Sequence, residues 1–334
     1  MRTRRVFCYI EVIILSDLEK DKEFQFNLLL KEKYIIIPDD EDIQKYLKKV
    51  KPFKTYNEQL QLLKDRNLII PDEAKAIELL KRINYYRLTA YTLTLKKDNV
   101  FYPNVTFDDI IQLYCFDVDF RSLILKYASY IEIAIRSYVA YYHAKLYGSL
   151  GYLNSNYFQN KHYHTTFLKV LKESLQSSKD TFIEWHKTDK NGIFPFWVAI
   201  EETSFGCVSQ LYKNLIQKDR KQIAKIYYGI SNEQYIENWL QCTVVARNIA
   251  AHGGRFYNRI NIRPKVLLGN KLNQVVDNGR PFAFLYAMFR LLTDGKKYDM
   301  IQELKKLFKK YPFVDMRYLG FPTKWEKIFD YSSL

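Results

Sequence analysis

One long stretch of the chain contains neither glycine nor proline. It runs from Thr106 to Tyr147 and is followed by Gly148. Glycine and proline are the residues that interrupt helices most strongly, so their absence over this length favours continuous helix. Thr106 with Asp109 three residues later also resembles the capping pattern of a helix N-terminus. The stretch therefore predicts one very long helix or two nearly collinear helices, which is typical of a helical bundle.

Shorter helices are predicted on both sides of this stretch. Capping boxes at Thr55–Glu58 and Ser231–Gln234 indicate helices over about 55–68 and 231–252. Further helical patterns cover residues 71–88, 163–178, 195–217 with a break at Gly206, 219–228, 282–293 and 298–310. Strand-like runs are few, at 34–38 and 259–268. The fold class is therefore predicted to be mainly α, a helical bundle with accessory helices.

The charge of the chain favours a polyanionic partner. Its 52 Lys and Arg residues exceed its 37 Asp and Glu residues, which gives a formal net charge of +15. Such a field attracts nucleic acid and speeds the encounter with it. Aromatic residues make up 16% of the chain, with 28 tyrosines, and offer flat surfaces on which bases can stack. A genome rich in A and T, which favours lysine and tyrosine codons, is an alternative explanation of the aromatic content.

The sequence also indicates where in the cell the protein is expected. An apolar run at residues 6–15 follows three arginines, but Glu11 interrupts it and no small-residue cleavage site follows. It is too short to span a bilayer. The cysteines are scattered without a C-x-x-C spacing, as expected of reduced thiols, at Cys8, Cys115, Cys207 and Cys242. We therefore expect a cytoplasmic protein that does not associate with membranes.

The segment ARNIAAHGGR, residues 246–255, combines three polar residues at the end of an apolar helix. Asn248 and His252 are four residues apart and share one helix face, with Arg247 beside it. His252 falls in the last turn, where the helix dipole favours a positive charge, and Gly253–Gly254 suit a left-handed helix end. Arginine binds phosphate bidentately, and histidine can transfer a proton. The segment predicts either metal-free phosphodiester chemistry or phosphate binding; the alternative is a histidine that caps carbonyls beside solvated polar residues.

A second candidate site lies within the long predicted helix. Arg136 and His143 are seven residues apart and project from one face, and Glu132 lies one turn before Arg136. These residues form a second candidate site in the same chain. The alternative is an ion-paired arginine on a bundle helix with an incidental histidine.

A basic run directly after the first motif contains no acidic residue. It is the best candidate for an RNA-binding surface, against the alternative of ordinary solvated charges, and its cations are Arg255, Arg259, Arg263, Lys265 and Lys271. His162 and His164, with the distant His186, lack a cysteine or carboxylate at ligand spacing, so a solvated loop is favoured over a metal site. The sequence contains no Walker loop or dinucleotide fingerprint. Neither a metal nor a cofactor is therefore expected.

Several segments together resemble a known family. R-N-I-A-A-H resembles the R-x(4–6)-H signature of the HEPN superfamily, whose members are helical bundles and often ribonucleases. Taken in order, the following segments resemble bacterial abortive-infection proteins of the D/F type, the Abi-like proteins: KPFKTYNEQLQLLKDRNLII (51–70), LLKRINYYRLTAY (79–91), FDVDFRSLILKYASYIEIAIRSYVAYYHAKLYG (116–148), FPFWVAIEETSFGCVSQLYKNL (194–215), VARNIAAHGGRFYNR (245–259) and LGFPTKWEKI (319–328). The resemblance covers about residues 50–330.

The resemblance implies a domain organisation. Residues 105–270 would form a HEPN-like bundle, preceded by a small helical region at 51–104. Residues 271–334 would form C-terminal helices and a tail that pack on the bundle. Residues 1–50 lie outside the resemblance and are left unassigned.

The resemblance also implies a function: a metal-independent endoribonuclease toxin in defence against phage. His252 would be the general acid or base, Arg247 would stabilise the charged phosphorane, and Asn248 would orient the histidine or a phosphate oxygen. The implied partners are RNA as substrate, a small noncoding RNA as antitoxin, and a second copy of the chain in a homodimer. A non-catalytic RNA-binding protein and a toxin controlled by nucleotidylation are the alternatives.

Overall fold

The computed structural model describes residues 50–329. The chain divides into two units, Met1–Leu63 and Lys64–Leu334. Helix α1 (Tyr56–Lys64) begins in the first unit with the predicted capping box, in which the Thr55 N–H donates to Glu58 Oε2 at 2.7 Å. Most of the N-terminal extension, with the strand predicted at 34–38, lies outside the described residues. The domain bounds inferred from the sequence stay a prediction.

The second unit is helical. Its α-helices are α2 (Glu73–Arg82), α3 (Tyr85–Thr89), α4 (Phe107–Tyr147), α5 (Lys161–Ser177), α6 (Thr181–Asp189), α7 (Phe196–Ala199), α8 (Phe205–Asn214), α9 (Gln217–Tyr228), α10 (Glu233–Ala251), α11 (Asn270–Asn273), α12 (Pro281–Leu291), α13 (Asp294–Lys310) and α14 (Glu326–Phe329). Short 3₁₀ helices cover Ala90–Thr94, Gly151–Leu153, Ser155–Tyr157, Ile200–Glu202 and Met316–Leu319. The strands in the described part of the chain form one antiparallel hairpin, β1 (Lys96–Lys97) and β2 (Val100–Phe101).

Helix α4 is a single helix, as the absence of glycine and proline predicts. It has 41 residues and is therefore ~60 Å long. Thr106 and Asp109 form a complete capping box, in which the Thr106 N–H donates to Asp109 Oδ2 at 2.7 Å and the Asp109 N–H donates to Thr106 Oγ1 at 3.2 Å. The helix ends at Gly148, whose φ of 77° is a conformation that favours glycine.

The core forms where α4, α10 and α12 pack together. One face of α4 is buried at intervals of three or four residues, through Ile110, Leu113, Phe116, Phe120, Ile124, Tyr127, Ile131, Ile135 and Val139. Helix α12 is buried on nearly all sides, as expected of a helix that is apolar all round. Helix α10 also packs against α8 and α9. The predicted fold class, a mainly-α helical bundle, is confirmed. No helix between residues 50 and 329 is both long and apolar enough to cross a bilayer.

Three helix boundaries differ from the sequence prediction because other residues cap the helices. Helix α10 begins after Asn232, whose Oδ1 accepts the Gln234 N–H at 3.0 Å, so the capping box expected at Ser231 is wrong. The helix expected over 71–88 is interrupted because Asn84 accepts the Tyr86 N–H at 2.9 Å and begins α3. The helix expected over 195–217 is interrupted before Ser204, which caps α8, and Gly206 lies inside that helix.

The strand predicted at 259–268 is wrong. This segment contains the cis peptide bond Arg263–Pro264, and proline has no N–H to donate to a strand ladder. Side chains of α10 bind its backbone instead: Trp239 Nε1 donates to the Leu267 carbonyl at 2.9 Å, and Asn238 Oδ1 accepts the Leu267 N–H at 2.7 Å. Residues 259–268 of the basic run are therefore a loop tied to α10.

A buried carboxylate joins α4 to the loop that follows α10. Asp117 has no exposed surface, and its oxygens accept the N–H groups of Phe256 and Tyr257 at 3.0 and 2.7 Å. They also accept the Tyr91 hydroxyl at 2.9 Å and Arg121 Nη1 at 2.7 Å. Burial raises the pKa of the Asp117 carboxyl, and these hydrogen bonds oppose that shift. The carboxylate thus holds three separate parts of the second unit together.

Replacing this carboxylate should strongly destabilise the fold. In Asp117→Ala, the buried Arg121 loses its counterion and two buried backbone N–H groups lose their acceptor. We expect the free energy of unfolding to fall by about 3–5 kcal/mol in urea denaturation. Asp108→Ala on the same helix is the control, because Asp108 is exposed and pairs with the exposed Lys75, and it should change stability far less. Equal decreases in the two variants would contradict the role given to Asp117.

Candidate functional site

The predicted motif lies at the C-terminal end of α10. His252 directly follows the last helical residue and is exposed, and its N–H donates to the Asn248 carbonyl at 3.0 Å. Gly253 has a φ of 67°, and its N–H donates to the Ala250 carbonyl at 3.1 Å. This left-handed residue ends the helix, as the two glycines predict. The imidazole therefore stands at the surface where the helix carbonyls end.

Arg247 and Asn248 are joined to this end of the helix. Both are half-buried, and Arg247 Nη1 donates to Asn248 Oδ1 at 3.2 Å. Asn248 thus connects Arg247, through its side chain, and His252, through its backbone carbonyl. The arrangement combines an exposed histidine with a nearby guanidinium, and these groups can transfer a proton and bind a phosphate.

A further arginine, which the sequence analysis does not single out, lies against the same turn. Arg87 belongs to α3, and its Nη1 donates to the Gly253 carbonyl at 2.5 Å. It is exposed, and its guanidinium lies next to Gly253, because a Cβ at that glycine would stand 3.4 Å from Nη1. The only sequence signal for Arg87 is its place in the segment 79–91, which resembles the abortive-infection proteins.

The loop after the motif is tied to the segment that carries Arg87. Arg255 Nη1 donates to the Ala90 carbonyl, and its guanidinium lies 6.0 Å from the Tyr91 ring centre. Thr94 Oγ1 and the Tyr257 hydroxyl are 3.3 Å apart. Burial lowers the pKa of Arg255. The structure therefore gives Arg255 an intramolecular partner at a half-buried position in the predicted RNA-binding run.

The other cations of the basic run differ in their surroundings. Arg263 and Lys271 are exposed, whereas Arg259 and Lys265 are half-buried. Arg259 Nη1 donates to the Arg255 carbonyl at 3.3 Å, and Lys265 Nζ lies 3.8 Å from Asp277 Oδ1. The exposed members are the ones most accessible to a ligand.

The second candidate site has a different character. Arg136 pairs with Glu132, as the i,i+4 spacing predicts, and its Nη2 also donates to the Thr203 carbonyl. Glu201 adds a second carboxylate, whose Oε2 lies 3.9 Å from Arg136 Nη1. Both Arg136 and Glu132 are largely buried. Arg136 is therefore held by groups of its own chain.

His143 is enclosed by aromatic rings. It is 1% exposed and stacks on Phe158 at a ring-centre distance of 5.3 Å, with Phe196 at 5.2 Å. Neither ring nitrogen has a hydrogen-bond partner among residues 50–329. Burial lowers the pKa of His143 to about 4, and His164 adds to the shift. The two histidines of the predicted motifs thus lie in opposite environments, His143 buried and neutral and His252 at the surface.

The buried imidazole should make stability depend on pH. The unfolded chain protonates His143 near pH 6.5 and the folded chain only near pH 4, so stability is complete above pH 6.5 and is lost as the pH falls towards 4. His143→Phe removes this titration. Between pH 7 and 4 the wild type should lose roughly 3 kcal/mol more than the variant, measured by urea unfolding at each pH. Parallel pH profiles of the two proteins would contradict this assignment.

Comparison with known proteins places the chain in a family. The family model described as Abi-like protein matches residues 78–258, which is more than half of the 334 residues. The matched region includes Arg87, Asp117, His143 and His252. No curated protein and no solved structure matches the chain. The chain therefore belongs to the Abi-like family of abortive-infection proteins.

Proposed function

We propose that this protein is an endoribonuclease of the HEPN superfamily and the toxin of an abortive-infection or toxin–antitoxin system. Membership in the Abi-like family indicates a role in defence. The observation that best supports ribonuclease activity is the position of His252, which is exposed at the end of α10 with Arg247 and Arg87 nearby. The net charge of +15 supports RNA as the substrate.

In the proposed reaction the ribose 2′-oxygen attacks the adjacent phosphorus, and the bond from phosphorus to the 5′-oxygen breaks. His252 takes the proton of the 2′-hydroxyl or gives a proton to the departing 5′-oxygen. Arg247 stabilises the negative charge on the phosphorane, and Asn248 orients the histidine or a phosphate oxygen. The products carry a 2′,3′-cyclic phosphate and a 5′-hydroxyl.

A homodimer is part of the proposal. One His252 supplies either the base or the acid, whereas the reaction uses both. Two copies of the chain that bring their His252 side chains together would supply the two groups. The alternative half-site within the chain is disfavoured, because His143 is buried among aromatic rings and Arg136 is ion-paired.

Substitution of the motif residues should abolish RNA cleavage. Because a positioned acid or base contributes about 10²–10⁴ in rate, His252→Ala should lower cleavage by this factor, and Arg247→Ala should have a comparable effect. Cleavage of total RNA in EDTA, followed on gels, measures it, and growth of cells that express each variant gives a second measure. His162→Ala is the matched control, because His162 is an exposed histidine near the start of α5, and it should keep wild-type activity.

The outcomes of this experiment separate the alternatives. RNA binding without cleavage, unchanged in His252→Ala, identifies a non-catalytic RNA-binding protein and overturns the proposal. Loss of cleavage in His143→Phe with full activity in His252→Ala would move the site to the second motif. Cleavage that the two motif substitutions leave intact would contradict both assignments.

We further propose that a small noncoding RNA keeps the toxin inactive. The exposed Arg263, on the loop tied to α10, and the exposed Lys271, in the short helix α11, offer phosphate-binding groups outside the cleavage motif. The expectation is that protein purified from cells carrying the full native locus contains one discrete RNA, which sequencing of the extracted nucleic acid identifies. This RNA should inhibit cleavage when it is added back to nucleic-acid-free protein. A preparation free of nucleic acid, or one with heterogeneous fragments, would contradict this control mechanism.

A further inference from the structure

Two arginines from different parts of the second unit lie on the two glycines after His252. Arg87 lies against Gly253, where a Cβ would stand 3.4 Å from its Nη1. Arg259 lies against Gly254, where a Cβ would stand 3.5 Å from its Nη1. Consecutive Cα atoms are only ~3.8 Å apart, so both guanidiniums approach one short piece of backbone.

Within residues 50–329, these positive charges lack an acidic partner. Among the described residues, no carboxylate forms an ion pair with Arg87, Arg247 or Arg259, and their hydrogen bonds go to neutral oxygens. Five other arginines do pair with carboxylates: Arg121, Arg136, Arg220, Arg280 and Arg317. Uncompensated like charges that are gathered together repel one another, and an anion bound between them removes that repulsion. Arg87 and Arg259, which lie against neighbouring glycines, therefore have the charge of an anion-binding site.

The bond from Arg87 to Gly253 is not needed to attach α3 to the motif turn. Arg255 already donates to Ala90, and Asp117 binds Tyr91 together with the backbone of Phe256. These contacts are half-buried or buried, whereas Arg87 is exposed. A planar guanidinium carries five N–H donors, and the Gly253 carbonyl accepts one hydrogen bond, from Nη1 of Arg87. Arg87 is thus oriented by one hydrogen bond and keeps donors for a ligand.

We propose that Arg87 is a phosphate-binding residue of this site and that it works together with Arg259. The two guanidiniums bind backbone phosphates of the RNA next to the phosphate that meets His252. The proposal rests on the proposed function for the identity of the anion, and it adds a residue from outside the R-x(4–6)-H motif. Arginine suits the role because its fork binds phosphate oxygens bidentately.

Binding of a labelled RNA to a non-cleaving protein tests the proposal. The parent is His252→Ala, and the probe is a fluorescein-labelled single-stranded RNA followed by anisotropy over a series of KCl concentrations. In this parent, Arg87→Ala and Arg87→Gln should raise Kd by about 10- to 100-fold. They should also flatten the plot of log Kd against log salt by about 0.7 for each phosphate that is no longer neutralised. Arg87→Lys keeps the charge and should keep most of the slope. Arg259→Ala should act in the same direction, and the double variant should flatten the slope about twice as much.

The controls separate a binding role from a structural one. Arg82→Ala removes an exposed arginine from the last turn of α2 and should leave the slope unchanged. If Arg87→Ala lowers the melting temperature but its salt slope equals that of the parent, Arg87 only stabilises the turn and the proposal is overturned. Absence of RNA binding by the parent overturns it as well. If the salt slope of the parent depends on Arg87 but the wild type does not cleave RNA, the proposed enzymatic activity is refuted. The inference about Arg87 then still stands.

Discussion

The Asp117 carboxylate supports the turn on which the candidate site is built. It accepts the backbone N–H groups of Phe256 and Tyr257, only a few residues after His252. Arg121 balances its charge from the same helix. A buried carboxylate is stable only when its charge and its lone pairs are satisfied, so the loop must keep this conformation for the core to tolerate the charge. The stability of the bundle and the position of the motif turn are thereby coupled.

Two histidines that follow an arginine at similar spacing end in different environments. His143 lies on the buried face of α4, among the rings of Phe158 and Phe196, where the imidazole stays neutral. His252 lies where α10 ends, and Gly253 turns the chain away, so that the ring remains at the surface. A proton-transfer group must reach solvent or substrate, which supports the role proposed for His252.

The charge around the motif turn comes from distant parts of the chain. Arg247 comes from α10, Arg259 from the following loop and Arg87 from α3, more than 150 residues earlier in the sequence. The backbone of a bound strand offers several anionic oxygens, so donors from more than one part of the chain suit the proposed phosphate site. The hydrogen bonds of Arg255 to the Ala90 carbonyl and of Thr94 with the Tyr257 hydroxyl join the segment after α3 to the loop after the motif and bring these donors together.

Local sequence determined the helices and the motif turn. The run from Thr106 to Tyr147 is one helix because it contains neither glycine nor proline, and Gly253 ends α10 because it adopts the left-handed conformation. Helix starts depended on which neighbouring residue caps the backbone, so Asn232 rather than Ser231 begins α10.

Only the tertiary structure decided what surrounds these residues. Sequence spacing places Arg136 and His143 on one face, but it does not reveal that other helices cover that face. Sequence spacing also does not predict the contact of Arg87 with Gly253, because a contact across more than 150 residues depends on how the helices pack and not on local propensity. The sequence therefore determined the helix that carries the candidate catalytic residues, and packing decided which histidine is accessible and which arginines surround it.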